Sequence, residues 1–159
     1  MQETQAVPSV ALKAAVSGRL VRLDQLDKPA VVMMFGQNNS AQVDPVVEAV
    51  RAKYPEEQVL LVSVADLSKL PKLLRKMAEG VMNGRYKGEA EKLRDGLDPA
   101  EHVVILPDWD GEVAPGFGLG PVDKQMAMAV VATGGRLAGT YQDAAPETAV
   151  TGMLESALA

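Results

Sequence analysis

The sequence predicts an α/β domain in three layers, a central mixed β-sheet with helices on both faces. Three observations carry this. Apolar runs of strand length recur at 30–35, 59–64 and 102–106. Between them lie stretches with apolar residues at three- and four-residue spacing, the period of a helix. Near the end, two further strand-like runs flank Gly134-Gly135, a tight hairpin signal, ahead of a last amphipathic helix. Strands alternating with helices call for crossover connections and a sheet covered on its faces.

Residues 10–23 alternate loosely and run into LVRLDQLDKP, which reads as a short strand and a polar turn. Ala30 to Phe35, bounded by Pro29 and Gly36, is continuously apolar, as a strand buried on both faces must be. The helix that follows carries Val46, Val47, Val50 and Tyr54 on one face. Asp44-Pro45 is its start signal: Asp caps free N–H groups, and Pro in the first turn loses no hydrogen bond. Ser40 competes as a cap one turn earlier. After the strand 59–64, Leu67, Leu70, Leu73, Leu74 and Met77 outline a helix, which Gly80 and Gly84 are expected to interrupt before helix resumes from Gly88 to Leu97. A third strand, His102 to Leu106, closes at Pro107-Asp108-Trp109-Asp110-Gly111. Met126–Thr133 and Arg136–Tyr141 form the hairpin, and Pro146–Leu158 the last helix, with Val150, Met153, Leu154 and Leu158 inward.

The chain's 159 residues suit one domain. We divide them into an N-terminal extension with the first strand, residues 1–17, and a single domain, residues 18–159. No apolar run approaches the ~20 residues of a membrane span. The net charge of −5 argues against nucleic acid as a partner. It is uneven, however: Lys69 to Asp95 holds eight basic and four acidic residues. There is no cysteine, which excludes disulfides, thiolate catalysis and thiolate metal sites. That absence leaves the compartment open between cytoplasm and an exported location. The first residues show no basic and apolar signal segment, so no signal peptide is expected. The same start suits a mature exported chain with an added Met.

The phrase LDQLDKPAVVMMFG, with Asp108-Trp-Asp-Gly-Glu-Val-Ala-Pro-Gly-Phe-Gly118-Leu119 ahead of the closing hairpin, resembles the thioredoxin-like superfamily over roughly residues 18–158. The likeness is to its peroxiredoxin and thiol-disulfide-reductase branches. The resemblance implies a thioredoxin-like fold with an active-site turn at the start of the first long helix. Aligned from Phe35, the reductase cysteines fall on Ser40 and Val43. The peroxidatic cysteine falls on Asp44, ahead of Pro45, and its partner threonine on Ala41. The family's cis-proline would fall near Ala127, and the nearest proline is Pro121. Exchange needs a thiolate and a resolving thiol, so the family's activity does not carry over.

What remains is a polar turn, Gly36-Gln37-Asn38-Asn39-Ser40, where the start of a helix presents N–H groups. The plainer reading is that these residues tolerate the turn and cap the helix; the functional one is that they dock an anion or an extended peptide. Asp44 reads as a helix cap or a general base. Ser40 as a nucleophile needs His102, which begins a different strand. Asp108 to Glu112 looks like half a calcium loop but reads better as a turn whose Asp side chains bond their own backbone, with Trp109 exposed as a candidate anchor. The glycines of Gly116-Phe-Gly-Leu-Gly120 neither follow a strand nor open a helix, so no dinucleotide is expected. Met126 and Met128 read as core rather than as copper ligands. Lys69, Lys72 and Lys76, with Arg75, line a helix face opposite the leucines, either as a solvated face or as a surface for an acidic protein or lipid headgroup.

The expectation is a redox-inactive thioredoxin-fold binding module, with no cofactor and no metal, that takes a protein or peptide partner. Its site would comprise Gly36, Gln37, Asn38, Asn39, Ser40 and Asp44, with Asp123 and Lys124 on the approach to the hairpin. A non-thiol enzyme using Asp44 and the turn amides, and a basic-helix adaptor for membranes or acidic partners, stand as alternatives.

Overall fold

The computed structural model describes residues 7–158; residues 1–6 of the N-terminal extension lie outside the described residues. Two short strands, β1 (Ala11–Lys13) and β2 (Leu20–Arg22), pair as an antiparallel hairpin where one strand was expected. The turn between them is tight. Ser17 N–H donates to the Ala15 carbonyl at 2.8 Å, and Val16 between them takes φ +66°.

The main sheet is built from β3 (Ala30–Phe35), β4 (Leu60–Asp66), β5 (Val104–Asp108), β6 (Ala127–Ala132) and β7 (Arg136–Tyr141). Their order is β5-β4-β3-β6-β7, with the first three strands parallel and the last two antiparallel additions. The sheet is mixed, as the sequence predicts. Being central, β3 is flanked on both edges, and all six of its residues are buried. Its side chains alternate as a strand requires: Ala30, Val32 and Met34 enter one core, Val31, Met33 and Phe35 the other.

The helices are α1 (Val43–Lys53), α2 (Arg75–Lys92), α3 (Pro99–His102), α4 (Val113–Gly116) and α5 (Pro146–Leu158). The steps β3–α1–β4 and β4–α2–β5 move across the sheet in the same direction. Right-handed crossovers therefore put both helices on one face. α5 joins them, and Val46, Val50, Met82, Val150 and Leu154 share that core. The opposite face is covered by Val21 of the hairpin, by Leu23 and Leu26, and by the single turn α4 with Phe117. Val7 and Ala14 lie in that same core, so the boundary drawn after residue 17 separates residues that pack together.

Three local expectations are corrected. α2 runs without a break through Gly80, Gly84 and Gly88 and ends at Lys92. Leu73, Leu74 and Met77 stand exposed rather than inward, as does Val81, and Met82 is the buried residue of this helix. His102 ends α3 instead of opening β5, because Asp98 caps that helix through Ala100 N–H at 3.0 Å, with Pro99 following. The hairpin turn is as expected. Gly134 and Gly135 have φ +88° and +84°, and a Cβ on Gly135 would stand 2.4 Å from the Asp24 carbonyl, so glycine is required there twice over.

Candidate functional site

β3 ends at Phe35, and α1 begins at Val43 after a 3₁₀ turn, Ser40–Gln42. The polar turn therefore sits at the rim of the sheet, at the mouth of a buried strand. Gly36 is buried, and a Cβ there would stand 3.1 Å from the Asp123 Cα and 3.2 Å from the Val122 carbonyl. That close approach of two backbones is why glycine occupies the position.

Asn39 closes this contact. Its Oδ1 accepts Gly36 N–H at 2.7 Å, and its Nδ2 donates to the Val122 carbonyl at 2.6 Å. It is one of two buried polar residues among those described. Gln42 adds a second tie, its Oε1 accepting Met126 N–H at 3.0 Å. Gln142 adds a third from the far side: it accepts Gly120 N–H at 2.9 Å and donates to the Gly120 and Pro121 carbonyls at 3.1 and 3.0 Å. Three side-chain amides thus fix the segment 120–126, which leads into β6. The peptide bonds of the described residues are all trans.

Beside this brace lies a polar cleft of about 280 Å³ lined by Gly36, Gln37, Asn38, Asp66, Lys69 and the segment Pro121–Asp123. Lys69 Nζ lies 3.5 Å from Asp123 Oδ2. Asp66 Oδ1 accepts Ser68 N–H and Oγ–H at 3.0 and 2.6 Å. Gln37 and Asn38 are exposed, and their side chains make no hydrogen bond among the described residues. On the other side of the turn is an apolar groove of about 330 Å³, which shares Gly36 and Gln37 and adds Phe35, Ser40, Leu67 and Leu70.

The expected site residues therefore divide. Gly36, Gln37, Asn38 and Asp123 come together at the cleft. Lys124 is exposed on the same segment but does not line it. Asn39 is a buried brace whose amide is committed to Gly36 and Val122. Ser40 lines the apolar groove, and its side chain caps no helix. Asp44 does not cap α1 either: the cap residue is Gln42, and the Asp44 carboxylate points to Arg85 Nη2 at 3.4 Å. The 3₁₀ turn has already started the helix, so Asp44 falls inside its first turn.

Asp44 lines a separate cavity of about 430 Å³ between α1, α2 and the sheet, together with Arg51, Arg85 and His102. Burial pulls the Arg51 guanidinium below its ordinary range, against Glu56, Glu57 and Glu89, which raise it. Asp44 and the amides of Gln37 and Asn38 line different cavities, as do Ser40 and His102. Among the described residues no three His, Asp or Glu side chains gather as a metal set.

The Asp108 turn is as expected. Its buried carboxylate accepts Glu112 and Val113 N–H at 3.2 and 3.0 Å, starting α4. Met126 and Met128 are core. Trp109 is not the open anchor expected of it, since the Arg75 guanidinium lies over its ring at 4.9 Å. Gln42 and Gln142 were invisible to sequence reasoning: their partners lie 84, 22 and 21 residues away, and no local pattern marks them.

No protein-family model matches the chain, and no curated protein matches it. Solved structures do. A putative thiol:disulfide interchange protein DsbE from Chlorobium tepidum is similar with a TM-score of 0.63 at 15% identity, over 100% of this chain and 99% of that one. The dsbF of MTB gives 0.60 at 20% identity, over 98% of each chain. A secreted Mycobacterium tuberculosis disulfide oxidoreductase homologous to E. coli DsbE gives 0.56 at 14%, over 93% and 96%. The fold of this chain is accordingly thioredoxin-like, with a turn at the active-site position that contains no cysteine.

Proposed function

We propose that this chain is a redox-inactive thioredoxin-fold binding module that takes an extended peptide or protein segment in the cleft between Gly36–Asn38 and Pro121–Asp123. One observation carries the reading: the exposed amides of Gln37 and Asn38, which no group among the described residues engages, line a cleft held by the buried Asn39 brace. A primary amide both donates and accepts, as the backbone of an extended peptide demands of its partner. Lys69 and the carboxylates of Asp66 and Asp123 then offer charge of both signs for side chains at the cleft. The missing thiol leaves non-covalent capture as the use of the position.

Selection of peptides from a random display library on the immobilised chain tests this. The peptides recovered should lose at least about fivefold in affinity on replacing Gln37 and Asn38 together by Ala, the effect of two lost hydrogen bonds at about 0.5–1.5 kcal/mol each. Both residues are exposed, so the fold should survive, as circular dichroism would record. Affinity unchanged by the double replacement would overturn the reading.

A further inference from the structure

The solvent side of α2 carries the largest exposed apolar side chains of the described residues. Leu73 is 94% exposed, Val81 73% and Met77 68%. Leu73, in the 3₁₀ turn that leads into α2, Met77 and Val81 follow one another at four-residue spacing, so they form one stripe. Gly80, Gly84 and Gly88 continue the same face, and nothing lies within 4 Å of where their Cβ atoms would be. The face is therefore apolar at its start, flat beyond, and uncovered among the described residues.

Charge indicates what covers it. Between Lys69 and Ala78 there are four basic residues and no acidic one. Arg75 is committed to Trp109. Lys72, Lys76 and Lys87 are exposed and have no carboxylate within ion-pair distance among the described residues, and Lys69 reaches Asp123 at 3.5 Å. Lys76 and Lys87 flank the stripe on one side. The first turn of α2 holds no acidic residue, although the positive end of a helix dipole favours anions there. Cations and bare leucines gathered at that end leave an electrostatic demand that the described residues do not meet. The segment from Lys69 to Asp95 carries +4, leaving about −9 on the remainder. An anionic plane would attract this one surface and repel the rest, which fixes orientation as well as contact.

We infer that the face of Leu73, Met77 and Val81, with Lys72, Lys76 and Lys87, docks on an anionic phospholipid bilayer. The apolar side chains enter the headgroup boundary while the lysine stems lie along it and their ammonium groups meet the phosphates. A second copy of this chain is a poor occupant, because two segments of +4 would have to meet. Met77 and Val81 also line the apolar groove beside the turn, but no residue of this face lines the polar cleft, so replacing Gln37 and Asn38 tests the peptide reading apart from it.

Co-sedimentation of the full chain with vesicles of phosphatidylcholine, with and without phosphatidylserine, tests it. Binding should require phosphatidylserine and fall steeply with salt. Lys72→Gln and Lys76→Gln should each lower partitioning about fivefold, since each lysine contributes about 1 kcal/mol at such a surface. Leu73→Glu should abolish it; the side chain is exposed, so circular dichroism should be unchanged. Trp109 emission should change on binding, because Arg75 connects it to the docking end of α2. Absence of vesicle binding, binding indifferent to lipid charge, or partitioning unaffected by Leu73→Glu would each overturn the inference. So would capture of an acidic peptide by this face from a chain that ignores vesicles.

Discussion

Asn39 makes two buried hydrogen bonds to two different backbone segments, and its replacement by Ala would leave the Gly36 N–H and the Val122 carbonyl unpaired. Each buried group abandoned costs about 1–3 kcal/mol, so Asn39→Ala should lower unfolding stability by about 3 kcal/mol in a denaturant titration. Val16 makes the opposite case. A β-branched residue at φ +66° is held against its own preference, a strain of about 1–3 kcal/mol. Val16→Gly should relieve it and raise the midpoint, by about 1 kcal/mol once the entropy of glycine is set against the gain. At Glu57, the hydrogen bond from Arg94 holds the carboxyl below its ordinary range. A depressed carboxyl stabilises the fold above its unfolded pKa and loses that contribution as pH falls through the folded value. Because the pair is fully exposed, the effect on stability should be slight, and the readout is an NMR titration in which Arg94→Ala moves the Glu57 carboxyl upward. What sequence conveyed at this scale was side-chain chemistry without direction. Asp44 and Ser40 were sensible caps, yet an unforeseen 3₁₀ turn displaced both, and Asn39 turned inward where an outward ligand contact had been expected.

Among the elements, α2 departs furthest from sequence expectation. Its glycines read as breaks, because each costs a helix interior about 1 kcal/mol. The helix persists because Met82 is buried and Ala78, Tyr86 and Ala90 pack on the same core, a tertiary anchor that outweighs propensity. Since no atom lies near a Cβ at Gly84, Gly84→Ala should stabilise the folded chain by about 1 kcal/mol, measurable in urea. The leucine periodicity that outlined a helix placed it too early: Leu67 and Leu70 precede it, Leu73 and Leu74 lie in the 3₁₀ turn, and only Met77 falls in α2, where it is exposed. β3, β7 and α5 were legible to the residue, since each is bounded by Pro, Gly or a hairpin turn that leaves no choice of ends.

For the molecule as a whole, the sheet separates two cores, one around Phe117 and the other around Leu154. They share every central strand, so they should not unfold separately. Phe117→Ala and Leu154→Ala should each cost about 2–5 kcal/mol. Each should shift a single transition seen alike by circular dichroism and by emission of the sole tryptophan, Trp109. Topology was legible because element order and crossover handedness leave few arrangements. The brace across the site was not, since residues 39, 42 and 142 meet the segment 120–126 through contacts that exist only once the sheet has formed.

That brace has a kinetic consequence. On the proposed peptide reading, a mouth fixed by amides needs little reordering to receive its visitor, so arrival should be governed by diffusion and charge. Selectivity among visitors then rests on how long each one stays.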